Sequence, residues 1–218
     1  MKRILLLSIV CVFLLPKAIL AAEKAQLARL HYNGGGDWYN DQDIIPNMTE
    51  YLNKYLKTDF SPTEADVKLT DSNLFDYPFI FATGHGNVVL TDAEISNLQD
   101  YLNRGGFIYF DDDYGMDKSF RQLVKQIFPA KEMVELPANH PLFHCYFDFA
   151  GGIPKIHKHD DQRPQAFAIF NEIGRIVLLY TFETNITDGW SDAHEDPPAI
   201  REQALEMGVN LFYYLMTN

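Results

Sequence analysis

Three consecutive carboxylates, Asp111, Asp112 and Asp113, stand where the apolar run Phe107-Ile-Tyr-Phe110 stops. Adjacent carboxylates repel one another, so at least one must hold its proton above the ordinary range unless a cation or hydrogen-bond donors compensate. Side chains alternate along extended chain, which puts Asp111 and Asp113 on one face and Asp112 on the other. Such a pair suits a hard cation such as Ca²⁺ or Mg²⁺, with Asp111 and Asp113 as ligands, or general acid–base work. It suits equally well one carboxylate capping the next helix while the others stay in water.

Other residues of chemical interest are scattered through the chain. His85 sits between two glycines, Gly84 and Gly86, where other groups can approach closely; it is a candidate acid–base group, as is Asp112. Asp37 and Trp38 follow the Gly34–Gly36 turn, which lacks the GxGxxG spacing of a phosphate cradle. The segment 183–196 offers Asp188, Trp190, Asp192, His194 and Glu195. His140 and His144 have the i, i+4 spacing of a zinc pair but no third ligand, and a structural role is favoured. His157-Lys-His159 with Asp160 and Asp161 lies in a polar stretch and reads as a solvated loop. Cys145 reads as a small buried hydrophobe.

The elements that must position these groups alternate between strand and helix patterns, as in βαβ units around a mostly parallel sheet. Strands are expected at 26–33, 65–69, 77–83 and 107–110, and helices at 46–56, 91–104, 116–128 and 197–216. Thr91-Asp-Ala-Glu94 is a capping box, and Gly105 supplies a left-handed stop. Strands at 165–170 and 175–182, joined by a short turn, predict an antiparallel hairpin at one edge. The stretch 131–163 has no clear period and is expected to decorate the sheet. Loops after parallel strands open on one side. They should gather Asp37, Trp38, His85, Asp111, Asp112, Asp113 and Trp190 around a shallow cleft, where carboxylates accept hydroxyl hydrogen bonds and indole rings stack on sugars, although packing is the commoner role of tryptophans such as Trp38 and Trp190.

Lys2 and Arg3, the apolar stretch Ile4–Leu15, Pro16 and the small residues Ala18, Ala21 and Ala22 have the layout of a signal peptide. The expected division is a leader over 1–22 and a single domain over 23–218, with a periplasmic or secreted location. The 218-residue chain carries 30 acidic against 18 basic residues, a net charge of −12, and loss of the leader removes three more cations. That balance argues against nucleic acid and anionic lipid as partners. Cys145 is the one cysteine outside the leader, so there is no internal disulfide framework.

The ordered set Arg29-Leu-His-Tyr-Asn-Gly-Gly-Gly-Asp-Trp-Tyr-Asn40, Tyr77-Pro-Phe-Ile-Phe-Ala-Thr-Gly-His-Gly86, Leu90-Thr-Asp-Ala-Glu94, Gly105 to Asp113, His140-Pro-Leu-Phe143, Gly174-Arg175 and Gly208-Val-Asn210 resembles a bacterial family of unknown function numbered 4159. The resemblance implies membership of the class I glutamine amidotransferase-like superfamily. The fold it implies is a three-layer α/β sandwich with a flavodoxin-like, mostly parallel sheet. Amidotransferases of that kind place a nucleophilic cysteine on a strand-to-helix turn, whereas the comparable turns here hold Gly84-His85-Gly86 or Asp111–Asp113. The expectation is therefore an exported, non-catalytic module binding a polar small molecule or glycan, or a cation, at the carboxyl edge of the sheet. The alternative is a hydrolase using His85 with the Asp111–Asp113 cluster. No cofactor is expected beyond a divalent cation. An envelope protein partner is left open, and the sequence does not fix an oligomeric state.

Overall fold

The computed structural model describes residues 24–159 and 161–218, so the expected leader over 1–22 lies outside the described residues. Seven strands form one sheet in the order β2-β1-β3-β4-β7-β6-β5. They are β1 (Ala28–Leu30), β2 (Ala65–Val67), β3 (Phe79–Ala82), β4 (Phe107–Asp111), β5 (Val134–Glu135), β6 (Gln165–Phe170) and β7 (Ile176–Phe182). β2, β1, β3, β4 and β7 are mutually parallel, while β6 runs antiparallel to both β7 and β5. Among the described residues four α-helices, α1 (Ile44–Leu56), α2 (Asp92–Asn103), α3 (Asp117–Ile127) and α4 (Pro198–Thr217), complete a three-layer sandwich of flavodoxin-like kind.

The two faces of the sheet account for the near-continuous apolar runs of its central strands, since a parallel sheet is covered on both sides. Alternation along the strands divides them between two cores. Ile80, Ala82, Ile108, Phe110 and Tyr180 pack with Ile95 and Leu98 of α2 and with Phe120 and Leu123 of α3. Phe79, Phe81, Phe107, Tyr109 and Leu179 pack on the opposite face, with Ile44 and Met48 of α1 and with Met207 and Leu211 of α4. The α2 start is the expected capping box: Thr91 Oγ1 accepts the Glu94 N–H at 3.3 Å, and Glu94 Oε2 accepts the Thr91 N–H at 2.7 Å. Among the described residues no helix is long and apolar enough to cross a membrane.

The β6–β7 hairpin forms the antiparallel side of the sheet, as expected, with one further strand outside it. β7 is buried along nearly its whole length and inserts beside β4, and its partner β6, buried from Ala166 to Ile169, lies one strand in from the edge. The edge itself is β5, pairing Val134 with Ala168 and Glu135 with Phe167. It comes from the stretch expected to lie outside the sheet, and a two-residue strand has too few positions to display a period.

Candidate functional site

Because β1, β3, β4 and β7 are parallel, the loops that follow them open along one edge. The loops are stitched together there. The Gly36 N–H donates to Asn87 O at 3.1 Å, Asp37 N–H to His85 O at 3.2 Å and Gly86 N–H to Tyr114 O at 2.8 Å. Asn185 Nδ2 donates to Asp113 O at 2.7 Å. Arg29, buried on β1, fixes the first loop from inside: its guanidinium donates to the carbonyls of Trp38, Asn40 and Asp41 and to the Glu64 carboxylate. At Gly84 (φ +137°) a Cβ would stand 2.6 Å from the Tyr32 hydroxyl and 2.9 Å from Asp37 Oδ1. Only glycine lets the second loop come this close to the first.

The three adjacent aspartates are buried, each for its own reason. Asp111 accepts from the hydroxyls of Thr181, Thr184 and Thr187 and from the Thr187 N–H, the last at 2.6 Å. Burial raises its proton affinity despite those donors. Four donors occupy its lone pairs, so as placed it braces the loop after β7. Asp112 turns to the other face, as alternation requires. It accepts the N–H groups of Met116 and Asp117, both at 2.9 Å, and the Tyr180 hydroxyl at 3.1 Å. It therefore caps α3, while burial pushes it up to about 6. Asp113 accepts from Thr83 Oγ1 and Asn40 Nδ2, both at 2.8 Å. Burial, with the charges of Asp188 and Asp111, pushes it well above the carboxylate range. Asp112 and Asp113 also line a cavity of about 290 Å³ with Tyr114, Lys118, Gln162 and Glu183.

Asp37 and His85 meet between the loops after β1 and β3, where the strand order reverses and doubly wound sheets bind ligands. His85 Nδ1 lies 3.3 Å from Asp37 Oδ2, and the His85 side chain is 44 % exposed. Tyr114, 53 % exposed, and Tyr39, 61 % exposed, stand at the rim. His159 packs on Tyr114 with ring centres 4.8 Å apart. Trp38 is half-buried and stacks on His31 at 4.0 Å. Trp190 is 0 % exposed, with its Nε1–H donating to Ala204 O at 2.9 Å, so its indole is a core residue and no platform. The exposed aromatic faces at the rim thus belong to tyrosines.

The cluster that sequence reasoning missed lies beside Asp113. His157 is pinned between Asp188 (Nδ1 to Oδ2, 3.3 Å) and Asp196 (Nε2 to Oδ1, 2.8 Å), not solvated. The hydrogen bond to Asp188 is the main reason its pKa rises to about 9. Burial opposes ionisation of Asp188, but donors from His157 and Asn185 and the nearby His194 hold it below the usual range. His194 Nε2 reaches Asp41 Oδ2 at 2.8 Å. No spacing rule joins positions 41, 157, 188 and 194, so nothing local announced them. His140 and His144 serve local structure: His140 Nδ1 accepts the Leu142 N–H at 3.2 Å, and His144 pairs with Asp148. Cys145 is half-buried, and its thiol donates to Asn210 O at 3.2 Å beside α4.

A family model described as a domain of unknown function, DUF4159, matches residues 26–216. No curated protein matches the chain.

Proposed function

The chain belongs to this family, and from that premise we propose that it is an exported, amidotransferase-like binding module that takes a hydroxyl-rich polar ligand, such as a carbohydrate, at the carboxyl edge of its sheet. The observation that carries the reading is the Asp37–His85 pair, half-exposed at the strand-order reversal and rimmed by the exposed rings of Tyr39 and Tyr114. A carboxylate and an imidazole exchange hydrogen bonds with sugar hydroxyls, and the tyrosines supply apolar faces for the ring carbons. The two reversal-point loops carry no thiol, and Cys145 lies in another segment with its Sγ–H engaged by Asn210, which supports binding over glutamine hydrolysis. Export rests on the leader-like layout of residues 1–22.

Titration with neutral and acidic oligosaccharides, in buffer containing a chelator, tests this. Trp38 beside Asp37 reports by fluorescence, and core Trp190 serves as the constant reference. Saturable quenching that is lost in Tyr114→Ala supports the proposal; no response to any glycan overturns it.

A hydrolase is the second reading, favoured by one observation. Asp37 Oδ2 stands at ion-pair distance, 3.3 Å, from Nδ1 of His85, and none of the described residues hydrogen-bonds its Nε2. That is the layout of an oriented general base. The carboxylate beside His85 is Asp37 and not one of the Asp111–Asp113 cluster. Turnover of an ester, amide or glycoside that disappears in His85→Gln would establish this reading.

A further inference from the structure

We propose that His157, Asp188 and His194 bind a divalent first-row transition-metal ion of the zinc class, where the segment before β6 meets the loop after β7. The proposal is independent of the polar-ligand reading and uses residues outside the Asp37–His85 pair.

One ligand atom from each of the three residues lies within 4.8 Å of the others. A tetrahedral ion with bonds of roughly 2.0–2.1 Å needs ligand atoms about 3.3–3.5 Å apart. His157 Nδ1 and Asp188 Oδ2 already stand 3.3 Å apart, and His194 Nε2 is 4.0 Å from Asp188 Oδ1, so a small inward movement of the partly exposed His194 completes the set. Asp188 Oδ1 is the independent sign of a missing partner. The residue is 1 % exposed, yet among the described residues no group donates to that oxygen unless Asp113 carries a proton. A buried, unsatisfied carboxylate oxygen is costly, and a cation relieves it.

The surroundings have the features of a supported metal site. Both oxygens of Asp196 lie within 2.9 Å of His157 Nε2, so that nitrogen keeps its proton and donates outward when the ion displaces the proton that Nδ1 shares with Asp188. Asn185 Nδ2 steadies Asp188 Oδ2 at 3.1 Å. Asp41 Oδ2, 2.8 Å from His194 Nε2, is within reach as a fourth ligand. Two imidazoles and a carboxylate favour zinc-like ions over Ca²⁺ or Mg²⁺, which prefer all-oxygen sites. The competing account of the orphaned oxygen is a proton on Asp113, which is close enough to hydrogen-bond Asp188.

The test uses the whole chain, stripped with chelator and then titrated with Zn²⁺ and with Ca²⁺ by calorimetry, with metal content measured after dialysis. The expected result is one zinc per chain, no competition from Ca²⁺, and affinity lowered by more than the roughly 10–100-fold typical of supporting residues in His194→Ala or Asp188→Asn, which remove ligands outright. His144→Ala, which removes an imidazole elsewhere, should bind as the parent does. Asp188→Asn risks misfolding, so His194→Ala, with circular dichroism confirming its fold, decides the matter. No zinc retained by the parent, or equal zinc in His194→Ala, overturns the proposal in favour of the Asp113 proton. Because the glycan titration is run in chelator, its outcome and this one fail separately.

Discussion

Asp37 grips His85 twice: one carboxylate oxygen accepts the His85 backbone N–H, and the other lies 3.3 Å from Nδ1 of its ring. The two contacts divide between shape and orientation. Asp37→Asn keeps an oxygen for the backbone contact but loses the charge facing the ring. We expect stability within about 0.5 kcal/mol of the parent, together with a weaker Trp38 response to ligand. Nitrogen NMR should show the His85 tautomer pass from one form to a mixture. An unchanged tautomer and unchanged ligand response would contradict the orienting role.

Asp112 stabilises by closing α3, where it accepts two backbone N–H groups and the Tyr180 hydroxyl. Asp112→Ala should cost about 1–3 kcal/mol in urea denaturation, the range for lost caps and stranded donors. Asp112→Asn retains an acceptor and sheds a carboxyl that burial holds at about 6, so it should cost under about 1 kcal/mol. Neither variant should change the Trp38 response.

Trp190 separates packing from recognition. Its indole is buried against Gly208 and Tyr109 and donates to Ala204. Trp190→Ala should cost about 3–5 kcal/mol by chemical denaturation. A ligand platform would instead lose binding at nearly unchanged stability.

In metal-free protein, stability should fall as the pH rises from 6.5 to 9. His157 titrates at about 9 in the folded chain against a usual 6.5, so its contribution is complete below 6.5 and is lost as pH rises through 9. Asp112 acts with the same sign at lower pH, from 3.8 to about 6. Asp188 is shifted the other way, so its contribution is lost only as pH falls below the usual carboxylate range. Melting temperatures across this interval should decline in the parent and flatten in His157→Gln.

The sequence was most legible where local chemistry and burial agree. The strand–helix alternation, the Thr91–Glu94 box and the Asp111/Asp113 alternation followed from neighbours a few positions apart. The convergence of the loops after β1, β3 and β4 followed from parallel strands alone. What could not be read depends on distant partners. Trp190 became core because Gly208 of α4 lets its ring in, with the indole 3.0 Å from where a Cβ would stand. Asp111 became a brace because three threonines from the β7 end reach it. His157 acquired its role from Asp188 and Asp196, 31 and 39 residues further along the chain.

Arg29 ties three carbonyls of the first loop to the interior of the sheet. The rim at Asp37 is consequently set before any guest arrives, and little backbone freedom is left to surrender on docking. Free and loaded forms should therefore superimpose there, and slow amide exchange over residues 37–41 should already be present in the empty protein. Disturbing the Arg29–Glu64 pair would soften the rim from behind, weakening capture through faster release while every group that touches the guest stays in place.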